Sequence, residues 1–502
     1  MKSKDIFMQL QNGSDVRGSA IETDAEERNL TPEIVRVISA AFLVWLSERT
    51  GKNPSDLKIG VGHDSRLTAD ELLEGVLKGT GCAEAFDCGL VSTPAMFLST
   101  VLPDTDFDGS VMITASHLPF NRNGLKFFTK DGGLEKSEIT EVLKKAVSLS
   151  EDGEDERKTA SNIKKFDLVS SYSRHLMEII KNEVKAEDFD HPLAGLHIVE
   201  DAGNGAAGFF ASEILEPLGA DTSGSVFLDP DGHFPNHIPN PENPEAMAAV
   251  TDAVLKSGAD LGVIFDCDGD RGAVVFSDGT EVNRNALIAL MAAIVKEGHP
   301  GSTVVTDSVT SDELTEFLEG ELGLVHLRYK RGYKNVIDKG IELNKDGTDC
   351  ELAIETSGHG ALKENYFSDD GAYMCVKIIC KMAKMKQEGR KIEDLISSLK
   401  MPAESKEVRY RISGEDFKEY AAGVLKDFEN FASQDERFHV VEPNFEGVRV
   451  SFDDDEVKGW LLLRMSLHDP VMPMNAEAEK EGGVGIILGR IQPFISRYEK
   501  LS

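Results

Sequence analysis

Ser116 lies in Thr114-Ala115-Ser116-His117-Leu118-Pro119, ahead of Asn123-Gly124-Leu125-Lys126. A serine hydroxyl acts as a nucleophile only when exposed on a loop with a base or a metal beside it. His117 and Lys126 are the nearby candidates for moving a proton or binding an anion. A second segment, Asp266-Cys267-Asp268-Gly269-Asp270-Arg271, places three carboxylates at alternate positions directly after the apolar run Leu261–Phe265. Carboxylates so spaced can converge on one hard cation. Mg²⁺ takes oxygen ligands and leaves positions for water or phosphate oxygen. The segment is not an EF-hand, because Arg271 stands where that loop needs Gly and Ser277 where it needs Glu. Arg271, next to the carboxylates, suits a phosphate, which guanidinium binds through two parallel hydrogen bonds.

Two more polar segments carry weaker signals. Glu355-Thr356-Ser357-Gly358-His359-Gly360 offers a carboxylate, a hydroxyl and an imidazole, fit for hydroxyl recognition and proton transfer near neutral pH. Arg464-Met465-Ser466-Leu467-His468-Asp469-Pro470 places Arg and Ser at a strand end, as an anion clamp would need. Arg17 in Gly13–Gly18, Arg66 in Gly62-His63-Asp64-Ser65-Arg66, and the basic run Lys330-Arg331-Gly332-Tyr333-Lys334 supply further positive charge on Gly-bearing loops.

The elements that must position these residues repeat one order: apolar strand, polar turn, amphipathic helix. It appears over Lys58–Val111, Gly195–Phe276 and Ser302–Ala361. Such alternation predicts parallel sheets with crossover helices, whose functional groups lie beyond the carboxyl ends of strands. A helix is predicted over Asp70–Lys78 and another over Ser311–Gly320. Ser148–Lys165 is charged and poor in apolar residues, and reads as a linker. Further breaks fall near Glu297–Ser302 and Met401–Glu407. Domains are therefore expected at 1–165, 166–298, 299–402 and 403–502, the first three α/β and the last α+β. A chain of 502 residues accommodates about three to four domains.

With 88 acidic against 54 basic residues, the formal net charge of −34 opposes binding to nucleic acid or to anionic membranes. No apolar stretch is long enough to span a bilayer, and the first ten residues lack a signal-peptide core. The six cysteines show no CxxC pair and read as reduced thiols. A cytoplasmic protein is expected, with a plastid as the alternative.

Taken in order, these motifs resemble the α-D-phosphohexomutases: phosphoglucomutase, phosphomannomutase and phosphoglucosamine mutase. The resemblance runs from Gly13 to Pro470. It implies three related α/β domains and a C-terminal domain around a central cleft, and an intramolecular phosphotransferase acting on a phosphosugar as monomer or homodimer. Ser116 would be the phosphoserine, with Asp266, Asp268, Asp270 and the Ser116 phosphate holding Mg²⁺. Arg271, His117 and Arg66 would support the phosphate. Glu355 and Ser357 would grip sugar hydroxyls, and Lys330, Arg331, Gly332 and Tyr333 would form a sugar-specificity loop. Arg464, Ser466 and His468 would hold the non-reacting phosphate. Arg17, Lys126 and His359 are the acid–base candidates. The implied reaction interconverts hexose 1- and 6-phosphates, of glucose or mannose, through a hexose 1,6-bisphosphate. The alternatives are a phosphoglucosamine mutase, a hexose-1,6-bisphosphate synthase and a non-catalytic sugar-phosphate sensor. Two departures stand out: Leu118 replaces the family's usual Asn, and Leu467-His468-Asp469 replaces a Gly-Thr-Glu-like run.

Overall fold

The computed structural model describes residues 3–151, 163–414, 416–466 and 469–502. Most of the expected linker, and Leu467 and His468 of the presumed clamp, therefore lie outside the described residues. The chain divides into two compact units. Unit 1 holds Met1–Asn283, Ser357–Gly360 and Ser368–Ile392; unit 2 holds Arg284–Thr356, Ala361–Phe367 and Glu393–Ser502.

Unit 1 contains two sheets. The first is eight-stranded and mixed. Lys58–His63 pairs in parallel with Glu84–Leu90 and with Gly109–Ile113, while Arg122–Thr129 runs antiparallel between Gly109–Ile113 and Asp15–Ser19. Helix Pro32–Thr50 covers one face. Val35, Ile38, Phe42 and Leu46 recur at helical spacing and are buried. Thr31 caps its start by accepting from the Ile34 amide, and Gly51, with φ +72°, closes its end. The predicted helix near residue 70 spans Ala69–Gly79. The second sheet pairs Leu261–Phe265 in parallel with Ile198–Asp201 and antiparallel with Gly272–Phe276. The acidic segment is thus the connection of a hairpin, with Phe265 opposite Gly272. Gly269 turns it at φ +74°.

Unit 2 contains a sheet ordered Val325–Arg328, Thr303–Thr306, Cys350–Ile354, Gly360–Leu362, the first three strands parallel. The helix predicted over Ser311–Gly320 divides into α-helix Asp312–Thr315 and a wider π-helical turn Glu316–Glu321, which still buries Phe317 and Leu318. The C-terminal sheet is antiparallel, ordered Glu404–Arg411, Val471–Ala478, Lys458–Leu463, Val448–Asp453, His439–Val440. Helices Phe417–Ala432 and Gly483–Ile495 contribute to its core. The fold class is α/β with a C-terminal α+β region, as the strand–helix alternation predicts.

Arg449 is buried in this last sheet. Its guanidinium lies 3.8 Å from the Trp460 ring centroid, and donates to the Ser308 and Thr310 carbonyls and to Asp312 at 3.0, 3.1 and 2.9 Å. Trp460 Nε1 donates to Glu477 at 3.0 Å. All six cysteines are unpaired, and only Cys82 is exposed. No helix among the described residues is long and apolar enough to cross a membrane.

Candidate active site

Ser116 follows strand Gly109–Ile113 and adopts φ +50°, a left-handed conformation that non-glycine residues hold only when their surroundings enforce it. Its backbone is held from both sides. The Ser116 amide donates to Thr114 Oγ1 at 2.8 Å, and its carbonyl accepts from Arg66. This conformation brings Ser116 Oγ to 3.1 Å from Asp266 Oδ2, to which it donates, and to 3.1 Å from Arg271 Nη2, from which it accepts. The serine and the acidic loop, 150 positions apart, meet in unit 1.

Asp266, Asp268 and Asp270 are fully buried and offer ligand atoms within 4.8 Å of one another. Asp268 Oδ1 and Asp270 Oδ1 accept no hydrogen bond among the described residues. A buried carboxylate oxygen without a donor is costly unless a cation satisfies it, so these residues fit a bound metal ion. Burial, and then the charges of Asp270 and Asp268, push the Asp266 carboxyl well above its usual range. At Asp270, burial opposes ionisation, but Lys126, His359 and Arg271 overcome it and hold the carboxyl low.

Lys126, on strand Arg122–Thr129, places Nζ 2.6 Å from Asp270 and 3.7 Å from Asp268. His359 arrives from a loop bridged to Arg271. Its Nδ1 lies 2.6 Å from Asp369 and 3.7 Å from Asp270. Burial opposes the imidazolium, yet Asp369 and Asp270 raise it to about 9. His117 is the opposite case. Arg271 Nη2 lies 2.5 Å from its Nδ1; a guanidinium can only donate, so Nδ1 accepts and the ring proton resides on Nε2. Burial, and then Arg271, lower His117 to about 3. Arg17, on strand Asp15–Ser19, donates to the Thr114 carbonyl and pairs with Asp15 at 2.7 Å.

Arg66 differs from its expected place at a substrate phosphate. It is 2 % exposed, and its guanidinium donates to the carbonyls of Ser116, Leu118, Pro119 and Arg122. A buried cation satisfied by loop carbonyls shapes that loop instead of binding an anion. Three residues to which the sequence assigns no role also shape the site. Thr93 donates its hydroxyl to Asp268 at 2.5 Å and its amide to the Asp268 carbonyl at 2.8 Å. Asp369 orients His359. Asp64 accepts from the Thr114 hydroxyl at 2.6 Å. Only for Asp369 was there a local cue: the pair Asp369-Asp370 just before helix Gly371–Gln387, where Asp370 caps the Tyr373 amide at 2.8 Å.

Unit 2 gathers the other predicted groups. Glu355 accepts from the Gly332 amide at 2.5 Å, which ties it to the basic run. Gly332, φ +112°, precedes helix Tyr333–Lys345. Arg331 donates its amide to Glu446 at 3.1 Å, and Ser308 donates its hydroxyl to the same Glu446 oxygen. Tyr333 joins an apolar cluster with Tyr329 and Leu327, while Lys330 is exposed and lies 5.8 Å from the Tyr329 ring. Arg464 is buried, and its Nε has no hydrogen-bond partner among the described residues. Burial lowers its guanidinium; Glu446 opposes that shift and neighbouring Arg331 adds to it. Ser466 Oγ accepts from the Asp469 amide at 3.2 Å. Ser357 falls in unit 1, one residue past the point where the chain leaves unit 2. His468 lies outside the described residues.

The domain models "Phosphoglucomutase/phosphomannomutase, alpha/beta/alpha domain" I, II and III match residues 8–152, 170–279 and 283–401. The chain belongs to the α-D-phosphohexomutase family. A "Phosphomannomutase/phosphoglucomutase" of Pseudomonas syringae pv. tomato is 30% identical, over 90% of both chains. A "Phosphoglucomutase/phosphomannomutase" of Thermococcus kodakarensis is 30% identical, over 93% of this chain and 94% of its own. The crystal structure of a phosphoglucomutase/phosphomannomutase family protein from Burkholderia thailandensis superposes with a TM-score of 0.77 at 26% identity, covering 99% of this chain and 97% of that one. The positive φ of Ser116 and the buried acidic loop beside it are thus features of a phosphohexomutase.

Proposed function

We propose that this phosphohexomutase interconverts hexose 1-phosphate and hexose 6-phosphate, glucose or mannose, through phosphorylated Ser116 and a hexose 1,6-bisphosphate. The observation that carries the reading is Ser116 Oγ at 3.1 Å from both Asp266 and Arg271, beside carboxylate oxygens that have no donor among the described residues. Asp266, Asp268 and Asp270 would hold Mg²⁺. When bound, that ion neutralises charge on the transferring phosphoryl group.

The protein's own residues account for the rest. A sugar hydroxyl attacks the phosphorus of phospho-Ser116 in line, and the bond from phosphorus to Ser116 Oγ breaks. Arg271 donates to the departing Oγ and stabilises its charge. The proton of the attacking hydroxyl ends on the released Ser116 Oγ; His359, an imidazolium held by Asp369 and Asp270, joins Lys126 and Arg17 in supplying positive charge near the Ser116 loop. In the second half, the other phosphate of the bisphosphate returns to Ser116, and the sugar oxygen recovers a proton. Within unit 2, Glu355 would accept from a sugar hydroxyl, and Arg464 with Arg331 would hold a phosphate.

The test combines mass spectrometry with a coupled assay. Incubation with glucose 1,6-bisphosphate should add one phosphate to Ser116, and the loaded enzyme should convert glucose 1-phosphate or mannose 1-phosphate to the 6-phosphate. Ser116→Ala should do neither. Full turnover by Ser116→Ala refutes the reading. Accumulation of bisphosphate without 6-phosphate would identify a synthase in place of a mutase.

A further inference from the structure

Beneath Ser116 lies a buried carboxylate that the transfer chemistry does not itself require. Asp64 is fully buried in the loop after strand Lys58–His63. Its Oδ1 accepts from the Arg66 amide at 3.0 Å. Its Oδ2 accepts from Thr114 Oγ1 at 2.6 Å and from Cys267 Sγ at 3.3 Å, and lies 3.3 Å from Arg66 Nε. Each contact leads to a different part of the site. Thr114 Oγ1 donates to Asp64, so its lone pair is oriented to accept the Ser116 amide at 2.8 Å. Arg66, paired with Asp64, holds the Ser116 carbonyl. Cys267 is the residue between Asp266 and Asp268, so its thiol anchors the acidic loop to the same oxygen that anchors Thr114.

We propose that Asp64 is a positioning residue that ties the nucleophile loop and the acidic loop to one point, and so sets the separation of Ser116 Oγ from Asp266. Both peptide groups of Ser116 are fixed through its two arms, Thr114 and Arg66, which enforces the φ of +50° that a serine does not hold unaided. Cys267 fixes the other loop. In-line transfer depends steeply on such placement: a misplacement of about 1 Å costs on the order of 10²-fold. The thiol belongs in this scheme as a hydrogen-bond donor that is fully buried and takes no part in the covalent chemistry.

This inference rests on the reading of Ser116 as the phosphoryl carrier, and the experiment separates the two. Wild type, Asp64→Asn, Thr114→Val, Cys267→Ala and the double variant Thr114→Val/Cys267→Ala are loaded with glucose 1,6-bisphosphate. Ser116 phosphorylation is followed in single turnover, and KM and kcat are measured beside it. If wild type takes no phosphate, the carrier reading fails. If wild type loads, Asp64→Asn should load about 10²-fold more slowly and lose kcat in proportion, with KM within about threefold and unchanged circular dichroism, because substrate-binding groups are untouched. Thr114→Val and Cys267→Ala should each slow loading by about tenfold. The effect of the double variant should fall well short of their product, since both act through one carboxylate. If Asp64→Asn is too unstable to purify, the Thr114–Cys267 cycle decides alone. Additive effects in that cycle, or a loss confined to KM, overturn the proposal.

Discussion

Replacing Glu477 by Gln should stabilise the C-terminal sheet, by an amount that depends on pH. Glu477 is buried on strand Val471–Ala478. Burial, and then repulsion from Glu313, raise its carboxyl from the ordinary 4.5 to about 7, against the Trp460 hydrogen bond. Between pH 4.5 and about 7 the folded chain retains a proton that the unfolded chain has released, so stability falls as pH rises through that window. Above it the ionised carboxylate costs the full difference. At 1.36 kcal/mol per pH unit, that cost is about 3 kcal/mol. Gln keeps an oxygen for Trp460 Nε1 and carries no charge. Trp45 and Trp460 are the only tryptophans, so in a Trp45→Phe background urea unfolding read by fluorescence reports this sheet alone. The gain from Glu477→Gln should approach 3 kcal/mol at pH 8.5 and vanish near pH 4.5. The emission of Trp460 in the folded parent should titrate near pH 7 and lose that titration in the variant. A gain independent of pH, or an emission flat across pH 5–9, would refute the assignment.

Further outcomes follow from the site and the surface. Mg²⁺ alone, at about 100 times its dissociation constant, should stabilise the parent by about 2.7 kcal/mol, and Asp268→Asn or Asp270→Asn should remove that gain in calorimetric titration. Chelation should stop Ser116 loading. At Gly371 a methyl group would stand 2.5 Å from the Arg271 carbonyl carbon and 2.8 Å from the Gly272 amide. Gly371→Ala should therefore cost about 1–3 kcal/mol in thermal unfolding and displace Arg271 enough to lower kcat. The excess of 34 negative charges predicts that salt screens self-repulsion. The melting midpoint should rise by about 2–4 °C between 0.1 and 1 M NaCl; a fall would mean that attractive surface pairs dominate.

What could be read in advance was local. An apolar run followed by alternating aspartates announces a loop at a strand end, and residues 261–271 form one. The hairpin pairing of that loop was not legible, because an antiparallel partner adds no pattern that a parallel strand lacks. Ser116 and Asp266 were each conspicuous by type. Asp64, Thr93 and Asp369 were not, since their roles depend on contacts with residues 50, 175 and 10 positions away, which only topology creates. Arg66 misled for a physical reason. An arginine on a glycine-flanked loop looks the same in sequence whether its guanidinium faces an anion or gathers four carbonyls; burial alone distinguishes them. Ser357 and Glu355 form one motif in sequence, yet a boundary between compact units passes between them.

The burial of five cysteines makes the enzyme its own reporter. Cys82, beyond helix Ala69–Gly79, is the single thiol open to solvent. Burial pushes Cys88 and Cys350 up to about 12 and Cys267 well above its ordinary value, which suppresses the reactive thiolate. A maleimide applied to the native enzyme should therefore attach once, leaving a fluorophore at one defined position without engineering. Any second adduct would count an opening event. An adduct on Cys267 would time the parting of the loop that carries Ser116 from the loop that carries the aspartates.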